Sequence, residues 1–246
     1  MDISFYTART GAKAQQQKID VVANNMANVN TIGYKAQYAG FVDLLYSNVR
    51  EPETVDTQLQ VGSGTRVEKT DIDFNSGGLQ STDSKSDYAI TGSGFFAVQD
   101  PATNEIFFTR DGSFQHSLRQ DGNFYLVTAD GDLVLDRDFR RIQVDLEGGQ
   151  EFVPPEQIGV FDFELKDGML LVGDNKFTPV EKNGQPFLVE EGKVQQGFLV
   201  LSNADLSKEM VRLIEAQRAY SMSLKMVQTS NEIEQTIEGL RGYIFT

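Results

Sequence analysis

The sequence predicts an α+β fold: an antiparallel coiled coil of the N- and C-terminal helices with an all-β body inserted between them. Three observations carry this. Each end of the 246-residue chain has seam positions at heptad spacing. The middle changes to a period of two, punctuated by Asp-Gly and Asn-Gly pairs. The charge follows the same division. Residues 1–35 carry 4 basic and 2 acidic groups, residues 205–246 carry 5 and 6, and residues 36–204 carry 13 and 28. The middle is therefore net −15 in a chain of net −14, and the two ends are close to neutral.

The C-terminal run from Asp205 to Arg241 has no Pro and no Gly before Gly239. Asn203 is a candidate N-cap, with Asp205 in the first turn, where a negative charge suits the helix dipole. Leu206, Met210, Leu213, Gln217, Tyr220, Leu224 and Val227 are spaced 4, 3, 4, 3, 4, 3, the seam of a helix that packs lengthwise on another. At the other end Phe5, Ala8, Ala12, Gln15, Ile19, Val22, Met26 and Val29 are spaced 3, 4, 3, 4, 3, 4, 3. Aligning Gln15 with Gln217 sets Phe5 against Val227, Ala12 against Tyr220 and Met26 against Leu206. The one polar layer then satisfies itself and fixes register, and small residues face large ones. The first helix should stop near Asn30 to Gly33, with Gly33 suited to a left-handed position. Before that stop lie Asn24, Asn25, Asn28 and Asn30. These are weak helix formers whose amides fit either neighbouring chains, backbone or solvent.

Residues 34–65 read as a connector. Tyr34, Tyr38, Phe41, Leu44, Leu45 and Tyr46 fit one short amphipathic stretch, and the polar run after it fits an extended loop. Residues 66–202 read as an all-β outer domain, and 1–33 with 203–246 as the coiled-coil core. Strands are expected at Phe95–Val98, Ile106–Phe108, Phe124–Val127, Leu133–Leu135, Met169–Val172 and Phe198–Leu201. Phe161, Phe163 and Leu165 alternate with Asp162 and Glu164. Hairpin-type turns are expected at Asp111-Gly112, Asp121-Gly122, Asp130-Gly131, Asp167-Gly168 and Asn183-Gly184.

Catalytic signals are weak throughout. Gly62-x-Gly64 and Gly92-x-Gly94 lack the strand–turn–helix context and third glycine of a phosphate loop. The Asp pairs at 71–73, 130–132 and 136–138 do not fit a calcium loop and read as turn caps. His116 is the only histidine and there is no cysteine, which leaves little for zinc or for a Ser-His-acid triad. No cofactor, metal or catalytic residue is expected, and the chain reads as a non-enzyme. A secreted β-rich hydrolase using paired carboxylates is a competing reading, set against the absence of Trp to stack sugars. The acidic body argues against nucleic acid and anionic membrane as partners. No apolar run approaches the roughly 20 residues of a membrane span. MDISFYTART does not read as a cleaved secretory signal.

The stretch ANNMANVNTIGYK at 23–35 resembles the N-terminal signature of the bacterial flagellar basal-body rod and hook axial proteins. Met26 stands where that family usually has Leu, and Tyr34 where it has Phe. SNADLSKEMVRLIEAQRAY at 202–220 looks like the family's C-terminal signature. GSGFFAV at 92–98 and FTRDGSF at 108–114 are similar to its shared β-domain motifs. Within the family, FVDLLYSNVREPE looks most like the distal-rod branch. A proximal-rod or hook-type paralogue stays open, as does a single-copy export or cap binding module.

The resemblance implies a structural subunit that passes unfolded and uncleaved through the flagellar type III export apparatus. It implies growth beneath a rod cap into a helical homopolymer outside the cytoplasmic membrane, joined to other rod and hook axial proteins and transmitting torque from motor to hook. The residues add one expectation of their own. In the alignment above the C-terminal helix outruns its partner, yet Ile233, Ile237, Leu240 and Ile244 continue an apolar stripe. These four, with Asn24, Asn25 and Asn28, are the expected subunit–subunit contacts.

Overall fold

Two long pieces of the chain are free of proline, and both are helical. In a computed structural model, which describes residues 3–48, 60–144, 152–173, 175–189 and 193–244, α1 spans Ile3–Ala27 and α2 spans Leu206–Ile244. The chain divides into two compact units. One holds the described residues of Met1–Met26, Gln37–Asp71 and Asp205–Thr246, and the other those of Ala27–Ala36 and Ile72–Ala204. Among the described residues no helix is long and apolar enough to cross a membrane.

The start of α2 differs from the expected one. Its cap is Asp205, whose Oδ1 accepts from the backbone N–H of Ser207 at 3.0 Å and of Lys208 at 3.3 Å. A carboxylate there satisfies orphan N–H groups and sits at the positive end of the dipole. Asn203 does different work. Its Oδ1 accepts from the Ala36 N–H at 2.7 Å, and its Nδ2 donates to the Asp73 carbonyl at 2.7 Å. It staples loops together two residues before the Asp205 cap.

The connector also differs. Gln37–Asp43 pairs with Thr65–Ile72, and Tyr46–Asn48 pairs antiparallel with Gln60–Gly62. Leu44 N–H donates to the Gly64 carbonyl at 2.9 Å, closing the two pairs into one ribbon. Aromatic and β-branched residues at 38–46 and 65–72 favour this pairing over a short helix. The ribbon belongs to the same unit as the helices. The expected loop at 49–59 lies outside the described residues.

The β unit is built around Phe95–Gln99, which has three antiparallel partners: Ile106–Thr109, Leu133–Val134 and Val160–Asp162. These belong to a ten-stranded sheet that also takes in Phe124–Val127, Leu170–Gly173 and Lys176–Thr178. Phe96 and Val98 face a core with Tyr88, Ile90, Phe114 and Leu126. Phe95 and Ala97 face a second core with Phe108, Phe161, Phe163 and Phe177. Both faces of the central strand are covered, so its sequence is apolar without alternation.

Among the described residues two of the expected hairpins form, at Asp121-Gly122 and Asp130-Gly131, whereas Asp111-Gly112, Asp167-Gly168 and Asn183-Gly184 connect strands that do not pair with each other. Gly122, Gly131, Gly168 and Gly184 all have positive φ. Gly112 does not. It sits against Tyr88, whose carbonyl oxygen would lie inside any Cβ added there. Close approach of backbone, rather than turn geometry, requires glycine at that point. The expected alternation at 161–165 breaks as well. Asp162 is buried and held by Lys166 Nζ at 2.9 Å, while Leu165 is exposed.

Candidate assembly site

The site begins with how the two helices meet. Three observed contacts set their register. Ser4 Oγ lies 3.2 Å from Ser230 Oγ. A Cβ placed on Gly11 would lie 3.5 Å from Ser223 Oγ. Asn25 Nδ2 donates to Glu209 Oε2 at 3.4 Å. The helices are therefore antiparallel, but displaced by two residues from the alignment that set Gln15 against Gln217. The buried face of α2 is also rotated. Glu209, Ala216 and Ser230 are buried, with Leu213, Tyr220, Ser223 and Val227 half-buried between them. Of the expected α2 seam, Leu213, Tyr220 and Val227 share this face. Leu206, Met210, Gln217 and Leu224 are exposed. On α1, Ala12 and Val22 are buried, and Phe5, Ala8, Gln15, Ile19 and Met26 are half-buried, while Val29, expected on the same seam, lies in the turn after the helix ends at Ala27.

The reason lies in α1, which has more than one neighbour within its unit. Thr7 Oγ1 donates to the Gly62 carbonyl at 3.2 Å, and Lys18 Nζ stands 5.9 Å from the Phe41 ring centroid. One side of α1 serves the ribbon and another serves α2, so a single apolar seam does not describe it. The side toward α2 carries small residues, Ser4 and Gly11, that let backbones approach. The signal that finds this face is the strict seven-residue spacing of Ser4, Gly11 and Asn25-phase positions opposite Glu209, Ala216, Ser223 and Ser230.

A buried polar set closes one end of the pair. Asn25 is fully buried, and its amide grips the Gln37 backbone on both sides: Nδ2 donates to the carbonyl at 2.8 Å, and Oδ1 accepts from the N–H at 2.9 Å. Glu209 is 1% exposed and takes a charge-assisted hydrogen bond from Arg212 besides the one from Asn25. The Arg212 guanidinium lies 4.5 Å from the centroid of the Tyr38 ring. Asn25, expected as a subunit contact, is thus an internal strut. Asn24 is exposed. Asn28 is half-buried, and its Oδ1 accepts from the Thr31 hydroxyl at 3.1 Å.

In the register set by Ser4 and Ser230, Ile3, the first described residue of α1, stands opposite Asn231, and α2 continues past it to Ile244. Ile233, Ile237 and Leu240 there are 50%, 52% and 59% exposed. The Ile244 side chain lies outside the described residues. Leu206, Met210, Val211 and Ile214 form a second exposed apolar run at the other end of α2.

In the β unit, residues from all four sequence motifs converge. Gly33 has φ +70°, and its N–H donates to the Val200 carbonyl at 2.8 Å. A Cβ on Gly33 would lie 2.6 Å from the Arg110 carbonyl carbon. Arg110 is buried and donates to the Gly92 carbonyl at 2.6 Å. Lys35, also buried, donates to the Asn75 carbonyl at 2.8 Å, and Asn203 Nδ2 reaches the same carbonyl at 3.2 Å. Burial, with a smaller push from Arg110, lowers the Lys35 pKa to about 8 against an opposing pull from Asp73.

Stretches far apart in sequence thus meet as one junction, and comparison with known proteins follows the same stretches. Residues 5–35 match a model described as flagella basal body rod protein. Residues 89–157 match the flagellar hook protein FlgE/F/G D1 domain, and 195–240 the C-terminal part of the flagellar basal body rod FlgEFG proteins. The flagellar basal-body rod protein FlgG of Buchnera aphidicola subsp. Schizaphis graminum is 34% identical over 96% of this chain and 99% of its own. The chain belongs to the flagellar basal-body rod protein family. FlgG of Borreliella burgdorferi is also 34% identical, over 94% of this chain and 95% of its own. The rod protein FlgF of Mesorhizobium japonicum is 28% identical over 98% of each chain. The weight of similarity is on the FlgG side, and the role is that of a structural rod subunit. In rod-family terms, the N-terminal match at 5–35 supplies nearly all of α1 and the Gly33 turn. The C-terminal match at 195–240 supplies Asn203, the Asp205 cap and most of α2.

Proposed function

We propose that this rod-family chain polymerises with copies of itself through α2, forming a helical tube that carries torque. The observation behind this reading is the C-terminal length of α2 beyond Ser230. There Ile233, Ile237 and Leu240 lie exposed at heptad spacing, past the Ser4–Ser230 contact between the two helices. An apolar stripe in water on a folded chain is a docking surface. A second copy suits it because the terminal segments are nearly neutral, so like ends meet without the repulsion the acidic middle would bring. The finer elements of this reading are export through the type III apparatus without cleavage, growth beneath a rod cap and a final position outside the cytoplasmic membrane. They rest on family membership. Asn24, an exposed asparagine of the N-terminal signature, is assigned to the same subunit contacts.

The test is a chain truncated after Ser230. Its β unit should keep the native near-ultraviolet spectrum, because its two cores draw nothing from α2. Growth of filaments, followed by sedimentation and electron microscopy of concentrated protein, should be abolished. Filaments at the full-length yield would refute docking through this helix end.

A further inference from the structure

α2 carries two heptad stripes that compete for α1. The apolar one runs through Leu206, Met210, Leu213, Gln217, Tyr220, Leu224 and Val227. The other runs through Glu209, Leu213, Ala216, Tyr220, Ser223, Val227 and Ser230. Choosing between them takes a rotation of roughly 50° about the helix axis and a slide of about 3 Å. Hydrophobic burial alone favours the first, since it would cover Leu206, Met210 and Leu224. The chain buries the second and leaves those three 44%, 52% and 40% exposed. Something other than apolar area makes the choice.

We propose that Asn25, Tyr38, Glu209 and Arg212 are a register lock, selecting the small and polar stripe for the intrachain pair and holding the apolar stripe outward. The geometry is suited to selection. Asn25 is fixed first by two hydrogen bonds to the backbone of Gln37, so its position on α1 cannot drift along the ribbon. Its remaining N–H reaches Glu209, which is 1% exposed and so requires partners wherever it is buried. Arg212, one turn on, gives the second partner and lies against Tyr38. Rotating or sliding α2 would carry Arg212 along with Glu209, but it would pull Glu209 from Asn25 and Arg212 from the Tyr38 ring, the two contacts that tie this pair to the rest of the unit. A polar layer that costs stability but specifies one alignment has precedent in coiled coils. The outward face is useful only if copies dock on it, so the functional half of this inference rests on the reading above. The lock itself does not.

The cysteine-free sequence allows a clean test. Two pairs of substitutions report the two registers in dilute, monomeric full-length chain: Ser4→Cys with Ser230→Cys, and Gln15→Cys with Gln217→Cys. The first pair replaces hydroxyls 3.2 Å apart and should close to a disulfide on mild oxidation. The second should not, because Gln217 is exposed. Adding Asn25→Ala and Glu209→Ala should reverse this: the first disulfide falls at least about tenfold in rate and the second appears. Glu209→Gln, which keeps an acceptor for Asn25, should retain the first disulfide. Unchanged rates after the double alanine substitution would overturn the lock. Loss of both disulfides together with the helical signal at 222 nm would overturn it too, because the four residues would then support helix formation without choosing a register. Each readout comes from monomer, so failure of self-assembly leaves this result standing, and the reverse holds as well.

Discussion

Lys35 is a cationic side chain kept almost wholly out of water, and its ammonium is satisfied by a single carbonyl, that of Asn75. Burial and the nearby Arg110 bring its pKa from 10.5 down to about 8. The sign of the consequence follows from proton counting. Between those two values the unfolded chain holds a proton on Lys35 that the folded chain lacks, so raising the pH favours the folded state. Below pH 8 the full cost of burying the charge is present. Lys35→Met, which removes the titration, should therefore be compared with wild type by urea unfolding at pH 7 and pH 10. The wild type should gain on the variant by up to about 3 kcal/mol as pH rises. A constant difference across that range would mean that the folded Lys35 titrates at its ordinary value. Gly33 acts by shape instead. With φ at +70° and the Arg110 backbone 2.6 Å from any Cβ, Gly33→Ala has no conformation that fits.

At the level of elements, α1 and α2 touch along a face of small side chains. Gly11, Ala216, Ser223 and Ser230 occupy positions where bulk would hold the backbones apart. Ala216 is 1% exposed, so Ala216→Leu forces extra volume into a closed contact. It should cost about 1–3 kcal/mol in the urea transition followed at 222 nm, while near-ultraviolet signals from the β unit stay unchanged. Equal stability would mean that the helices are looser than their contacts imply. The same face explains what the sequence made legible. Helix positions, helix direction and most strands follow from proline-free heptad runs, from the period of two and from the Asp-Gly turns at 121–122 and 130–131. The seam did not follow, because heptad reading ranks apolar positions first. Here Leu206, Met210 and Leu224 lie outside the intrachain contact, while Glu209 and Ser230 lie inside it. Asn203 was misplaced for a related reason. Two capping residues stand two positions apart, and only tertiary partners reveal which one caps and which one staples. The ribbon from 37 to 72 was missed because its strands are stabilised by partners distant in sequence rather than by any local pattern.

For the whole molecule the decisive quantity is charge. A chain of net −14 that concentrates copies of itself works against its own field, although its terminal segments are nearly neutral. The acidic middle sets the repulsion and the helices set the attraction, so the two respond differently to salt. At about 0.02 M salt the Debye length is roughly 20 Å and neighbouring middles repel, whereas at about 0.3 M it is near 6 Å and they scarcely do. Apolar docking through Ile233, Ile237 and Leu240 loses nothing to screening. The critical concentration for filament growth, measured by sedimentation, should therefore fall several-fold between those two salt levels. The polar and ionic alternative has the opposite sign. Were copies held together chiefly by ion pairs between the acidic body and the basic residues of the N-terminal segment, salt would raise the critical concentration. A rise would thus assign the cohesion of the filament to charge and remove the apolar end of α2 from that role.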